Sequence, residues 1–215
     1  MSDFANATYH PVNRDFDNLI VHNSGDDVQP LRIAINGFGR IGRNVLRSLL
    51  ERFEVLGRGV HVVAINDLAP AETLLHLLKF DSTHGRLSRL GISAEIVQDG
   101  ITDQQKKSSA TAKSDIQLCL TKKDKRYCIR LLSRESPKDL PWEDLNVDVV
   151  LECTGHFRSY SQASLHIAAG AKQVIIGAAP FDDVDACIVM GVNSDELTQA
   201  LPIISSVSCT TQALV

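Results

Sequence analysis

The sequence predicts an α/β fold, a doubly wound and mostly parallel sheet, from three observations. Leu31 to Asn36 is a short apolar run stopped by glycine, and Arg40 to Phe53 follows it with Ile41, Val45, Leu46, Leu49 and Leu50 at helical spacing. A buried parallel strand and its crossover helix read this way in sequence. His61 to Asn66 repeats the strand pattern with Val62-Val63-Ala64-Ile65, and Ala71 to Phe80 repeats the helix with Leu74, Leu75, Leu77 and Leu78. Later, Val147 to Glu152 and Val174 to Ile176 bracket a third helical stretch, Ser159 to Ala169. Strands and helices alternating in this order build a parallel sheet with helices on both faces.

The other elements fit around this frame. Gly57 and Gly59 break the first helix, and Asp81-Ser82-Thr83-His84-Gly85 is the polar exit of the second, with His84 as a turn residue. Between Gly91 and Leu132 the period changes to two, so Ala94 to Val97, Ile116 to Leu120 and Tyr127 to Leu131 are expected as an antiparallel excursion. Within it, Thr102 to Ser114 reads as a solvent loop and Lys122 to Arg126 as a solvated hairpin turn. Gly170-Ala171 ends the third helix, which His156 and His166 flank as surface or capping groups. Ala186 to Met190 and Ile203-Ile204 add two more strands.

An acidic, flexible tail is expected over 1–30. The tail sets Asp3, Asp15, Asp17, Asp26 and Asp27 against one Arg14, and its apolar patch at Phe16 to Val21 is a candidate for docking on the body or on another subunit. With 215 residues and 44% apolar composition the chain can bury a sizeable core. A net charge of −4 gives no electrostatic case for nucleic acid or an anionic membrane, which leaves a small-molecule role. No run reaches the ~20 apolar residues that cross a bilayer, and the start lacks a secretory pattern, so the expectation is a soluble, cytoplasmic protein. The five cysteines lack metal-site or disulfide-framework spacing, so no metal is expected and the thiols are read as reduced. Cys119, Cys128, Cys153 and Cys187 fall in apolar strands, as packing residues would.

Two segments carry chemistry. Gly37, Gly39 and Gly42 have the spacing G-x-G-x-x-G between a strand and a helix. The first glycine allows the tight turn, the second lets backbone approach a pyrophosphate at the helix N-terminus, and the third lets helix and strand pack closely. Asp67 ends the next strand, somewhat further along than the usual ~20 residues, where its carboxylate can accept hydrogen bonds from a ribose and repel a 2′-phosphate. The second segment is Ser208-Cys209-Thr210-Thr211, which places a thiol at the start of a helix, where unpaired N–H groups favour the nucleophilic thiolate.

These segments, with Ala64-Ile65-Asn66-Asp67, Leu77-Leu78-Lys79-Phe80-Asp81-Ser82-Thr83-His84-Gly85, Leu140-Pro141-Trp142, Cys153-Thr154-Gly155 and Gly191-Val192-Asn193, closely resemble the glyceraldehyde-3-phosphate dehydrogenase family. The resemblance runs from Leu31 to the last residue and includes the family's erythrose-4-phosphate dehydrogenase branch. It implies a Rossmann-type NAD-binding domain over 31–207, the first residues of a truncated catalytic domain over 208–215, NAD as cofactor, and oxidation of a phosphorylated aldehyde in glycolysis with inorganic phosphate as co-substrate. By resemblance Cys209 is the nucleophile. Gly37, Phe38, Gly39, Arg40 and Ile41 line the pyrophosphate and nicotinamide side of NAD, Asp67 holds the adenosine ribose, and Gly42 and Asn66 count with them as cofactor-binding residues. Thr154 and Gly155 sit beside the cofactor, and Ser208 and Thr210 bind the phosphate being transferred. The family's base, a histidine, and its substrate-binding arginine belong to a second domain that this chain lacks, and the full-length family assembles as homotetramers. Two readings stay open at this point: the cofactor half of such a dehydrogenase, inactive alone, or a non-catalytic NAD-binding or interaction domain left by truncation.

Overall fold

In the computed structural model, which describes residues 29–52, 59–98, 116–198 and 200–215, the chain begins with β1 (Leu31–Asn36), α1 (Arg40–Glu51), β2 (Val60–Asn66) and α2 (Ala71–Lys79). A two-residue hairpin, β3 (Phe80–Asp81) and β4 (Gly85–Arg86), leads to β5 (Ser93–Gln98), β6 (Ile116–Lys122) and β7 (Lys125–Leu132). The second half supplies β8 (Val149–Glu152), α3 (Tyr160–Ala168), β9 (Gln173–Ile176), β10 (Ala186–Cys187), β11 (Ile203–Ser205) and α4 (Cys209–Leu214). Nine strands form one sheet in the order β10-β11-β9-β8-β1-β2-β7-β6-β5. From β10 to β7 every neighbour is parallel, and the excursion β5-β6-β7 is antiparallel. This is the predicted doubly wound, Rossmann-type sheet. The excursion is not a separate layer: β7 joins β2 in parallel, so β5 becomes the sheet edge.

Side-chain alternation in β1 divides the core between the two faces. Ile33 and Ile35 pack with Leu46 and Leu50 of α1 and Leu74 and Leu78 of α2, whereas Ala34 packs with Trp142, Val150 and Ala163 of α3. Strand period two sends neighbours to opposite sides. β2 breaks the alternation, because Ile33 pairs with Val62 and Ala34 with Ala64, leaving Val63 unopposed in a bulge. Val63 and Ala64 therefore both face the second core.

α3 has well-defined ends. Ser159 and Gln162 form a reciprocal capping box at its start. At its end, Gly170 takes φ +102° and its N–H bonds Ile167 O at 2.9 Å, while Ala171 N–H bonds His166 O at 3.1 Å. That is a Schellman closure. A Cβ at Gly170 would stand 2.5 Å from Glu143 Cβ, so steric room as well as backbone angle demands glycine.

Three expectations need correction. Cys119 and Cys128 are joined in a disulfide rather than held as reduced packing residues. They face each other across β6 and β7 with Cα atoms 4.1 Å apart. Counted from the closing pair Lys122 and Lys125, theirs is a non-hydrogen-bonded pair, where antiparallel strands come closest. Cys187 is exposed at the end of β10, which stops short of the predicted Met190. His166 is fully buried, not a surface group. The solvated hairpin turn at Lys123-Asp124 is as expected, and Arg126 reaches Glu95 on β5 at 2.8 Å. The patch at Phe16 to Val21, the loop Thr102 to Ser114, and the tail apart from its last two residues lie outside the described residues. Among the described residues no helix is long and apolar enough to cross a membrane.

Candidate dinucleotide site

The carboxyl ends of four adjacent strands, β7, β2, β1 and β8, open into two adjoining clefts. The first, about 470 Å³, is walled by Gly37 and Gly39 after β1, Asp67 and Leu68 after β2, Arg134 and Glu135 after β7, and Thr154, His156 and Phe157 after β8. The second, about 610 Å³, shares Asp67, Leu68 and Arg134 and extends over α2 and β7. Each is of a size found for small-molecule sites, ~300–1,000 Å³, and open α/β sheets bind ligands at this edge.

The glycine turn shows why each of its positions is what it is. Gly37 takes φ +90°, and a Cβ there would lie 2.7 Å from Thr154 N, so the turn is pressed against the β8 exit. A Cβ at Gly42 would meet Gly37 O at 2.2 Å, which is the close contact of helix and turn. Gly39, by contrast, faces open space. It is also the N-cap of α1, with no side-chain cap and no acidic residue in the first turn. Among the described residues the amides of Arg40, Ile41 and Gly42 therefore have neither an intrahelical nor a side-chain acceptor, which leaves them available to an anion.

Asp67 links two walls. Its Oδ2 accepts from Phe38 N at 2.7 Å and its Oδ1 from Ala69 N at 2.9 Å. Each carboxylate oxygen keeps one acceptor position, enough for a ribose diol. The side chain of Phe38 lies in the core at 1% exposure, so its share in the site is this amide and not a wall of the cleft. Among the resemblance-derived residues, the structure thus gathers Gly37, Gly39, Asn66, Asp67 and Thr154 around one cleft, with Arg40, Ile41 and Gly42 in the adjoining helical turn and Gly155 next to Thr154. Asn66 is 5% exposed and acts through its buried amide, which clamps the backbone of Arg134: Oδ1 accepts from Arg134 N at 2.8 Å and Nδ2 donates to Arg134 O at 2.9 Å.

Sequence reasoning missed the support beneath this cleft. Asn36 and Glu152 end β1 and β8 as buried polar groups, and His166 and Trp142 join them through hydrogen bonds. Signals for this existed: a polar residue closing each apolar strand, a histidine three residues from the buried Ala163 of α3, and an indole N–H that needs a partner when buried. Cys153, on the cleft floor, has its thiol pushed up to about 12 by burial and by the neighbouring Glu152 charge, so it stays protonated at neutral pH.

Cys209 is exposed at the first position of α4. Ser208 caps that helix, accepting from Thr211 N at 3.1 Å, and its hydroxyl lies 2.8 Å from those of both Thr210 and Thr211. Cys209 does not line either cleft.

Uncapped amides at a helix start, a carboxylate with spare acceptor positions at the end of the next strand, and a cleft spanning the strand ends define a dinucleotide-binding α/β domain. Residues 31–160 match the family described as glyceraldehyde 3-phosphate dehydrogenase, NAD binding domain. The chain belongs to that family, and its cofactor is NAD. A glyceraldehyde-3-phosphate dehydrogenase of Xanthobacter flavus is 40% identical over 186 residues, covering 86% of this chain and 47% of the relative. The chain spans about half the length of that relative.

Proposed function

We propose that the chain is the NAD-binding half of an oxidoreductase acting on a phosphorylated aldose aldehyde, glyceraldehyde 3-phosphate in glycolysis and gluconeogenesis. The observation that carries this reading is the exposed Cys209 opening α4 within Ser208-Cys209-Thr210-Thr211, in a chain whose other end matches the family's NAD-binding domain. NAD, when bound, supplies the hydride acceptor. Cys209 Sγ adds to the aldehyde carbon to give a thiohemiacetal, and removal of the hydride and the hydroxyl proton leaves a thioester. Inorganic phosphate then attacks the thioester carbon and the Cys209 thiolate departs. Ser208 and Thr210 offer hydroxyls for that phosphate, while Asp67 and the first turn of α1 hold the ribose and pyrophosphate.

The domain division at 207/208, a cytoplasmic setting and assembly as a homotetramer of the full-length enzyme belong to the same reading. The relative's name supports the dehydrogenase reading, and the exposed apolar side chains of Val192, at 62%, and Leu214, at 87%, are surface that a packed neighbour would cover. The test is a fluorescence titration of the 215-residue chain with NAD, paired with alkylation read by mass spectrometry and an aldehyde-oxidation assay. Saturable NAD binding, labelling of Cys209 ahead of Cys153, and no turnover are expected. A folded sample that takes up no NAD at millimolar concentration overturns the cofactor assignment. Steady oxidation of glyceraldehyde 3-phosphate by this chain alone overturns the placing of the base outside it.

A further inference from the structure

One buried hydrogen-bonded chain runs beneath the cleft and crosses four strand ends. Trp142 Nε1 donates to His166 Nδ1 at 2.9 Å, and His166 Nε2 lies 3.0 Å from Glu152 Oε2. Asn36 Nδ2 donates to the same oxygen at 2.6 Å, and Asn66 Nδ2 donates to Asn36 Oδ1 at 2.7 Å. Asn66 in turn clamps the backbone of Arg134. On its other oxygen Glu152 accepts from Thr154 N at 2.8 Å and from the Thr154 hydroxyl, and that hydroxyl accepts from His156 N at 3.0 Å.

The donor inventory settles the protons. An indole N–H only donates, so His166 Nδ1 must be bare, and the ring is neutral with its proton on Nε2 pointing at Glu152. Glu152 then faces four donors with two oxygens, the full acceptor capacity of a carboxylate. Asn36, Glu152 and His166 are each 1% exposed or less, so water cannot replace a lost partner. Three of the four strand exits that wall the cleft are held from below. Arg134 is held through Asn66, Gly37 through Asn36 and the bond from Gly37 N to Asn66 O at 2.8 Å, and Thr154 directly by Glu152.

We propose that Glu152 and His166 are positioning residues of the NAD cleft: the His166 tautomer, fixed by Trp142, aims Glu152, which sets the Thr154 turn and, through Asn36 and Asn66, the walls at Gly37 and Arg134. Neither residue lines the cleft, so their effect on NAD passes through backbone geometry. The inference rests on the assignment of NAD to this cleft for its binding consequence but not for its structural one.

The experiment therefore has two arms on the 215-residue chain. In the first, without nucleotide, amide hydrogen exchange at Gly37, Arg134 and Thr154 is compared between parent, Glu152→Gln and His166→Leu, with Val174→Ala as a core variant outside the chain. Exchange at those three amides should quicken at least tenfold in the two network variants and stay at the parent rate in Val174→Ala. In the second arm, NAD affinity should fall about tenfold or more in both, and His166→Gln, whose amide can accept from Trp142 and donate to Glu152, should recover most of the loss. Ring nitrogen shifts of His166 should report a bare Nδ1 in the parent and a tautomer mixture in Trp142→Phe. That variant removes the indole N–H together with part of the buried ring volume, leaves Glu152 and His166 in place, and carries both arms should Glu152→Gln not fold. Unchanged exchange at the three amides, or NAD affinity within twofold of parent in every network variant, overturns the proposal. A parent that binds no NAD while the exchange arm behaves as expected removes the cofactor assignment and leaves the positioning role standing.

Discussion

Gly39 and Gly42 belong to one turn and face different surroundings, so the same substitution has different consequences at each. An added methyl at Gly42 meets a backbone oxygen at 2.2 Å and Ile35 Cγ2 at 3.0 Å, and neither can yield without separating α1 from β1. At Gly39 the methyl meets nothing within 4 Å, and φ is −68°. Gly42→Ala is thus expected to lower stability by about 1–3 kcal/mol, the usual penalty of overpacking, seen as a shifted urea midpoint. Gly39→Ala should leave that midpoint within about 0.5 kcal/mol of the parent and, with the pyrophosphate held at this turn as proposed, weaken NAD binding tenfold or more, because its methyl would occupy the same space. Equal affinity for NAD in Gly39→Ala and the parent would remove the pyrophosphate from this turn. The three glycines were legible in the sequence because their spacing reports a backbone requirement. His166 was not, since burial of a polar side chain depends on which groups the fold brings to meet it, here Trp142 and Glu152.

The hairpin β6-β7 gives the corresponding lesson for elements. Its existence followed from period two and the polar turn at Lys123-Asp124, but the bond between Cys119 and Cys128 depends on register, which spacing alone does not report. Nor did the sequence reveal that β7 would lie parallel to β2, carrying its exit at Arg134 into the cleft. The disulfide closes a loop of only nine residues' separation. Loop-closure entropy for so short a loop is worth about 2–3 kcal/mol at most, and the hairpin already restrains its own unfolded ensemble. Reduction should therefore cost no more than that, measured as the urea midpoint with and without dithiothreitol. Thiol titration of the unfolded, unreduced chain should find three reactive cysteines, Cys153, Cys187 and Cys209. In a reducing compartment the pair is expected open. Five titratable thiols after purification in air would remove the bond from the native fold.

For the whole molecule the question is how the cleft and the core share stability. The four strand ends are cross-linked by backbone bonds such as Cys153 N to Asn36 O at 2.7 Å and Asp67 N to Leu132 O at 3.1 Å, besides the buried side-chain network, and all of these join groups of the chain itself. A cleft so held is preformed, and NAD then stabilises the native state by mass action alone. At a free concentration 100 times its Kd the gain is about 2.7 kcal/mol, or about 5–10 °C in Tm for a chain of this size. The same free energy slows exchange about 100-fold at every amide that exchanges only through global unfolding. Amides of β1, β2 and β8 lie in the middle of the sheet and should show the full factor. Those of β5, which among the described residues is the edge strand and pairs with β6, open locally and should hardly change. Protection confined to the turns at Gly37 to Gly42 and Thr154-Gly155, with the central strands unmoved, would mean that the cleft is assembled by its ligand rather than by the hydrogen bonds beneath it.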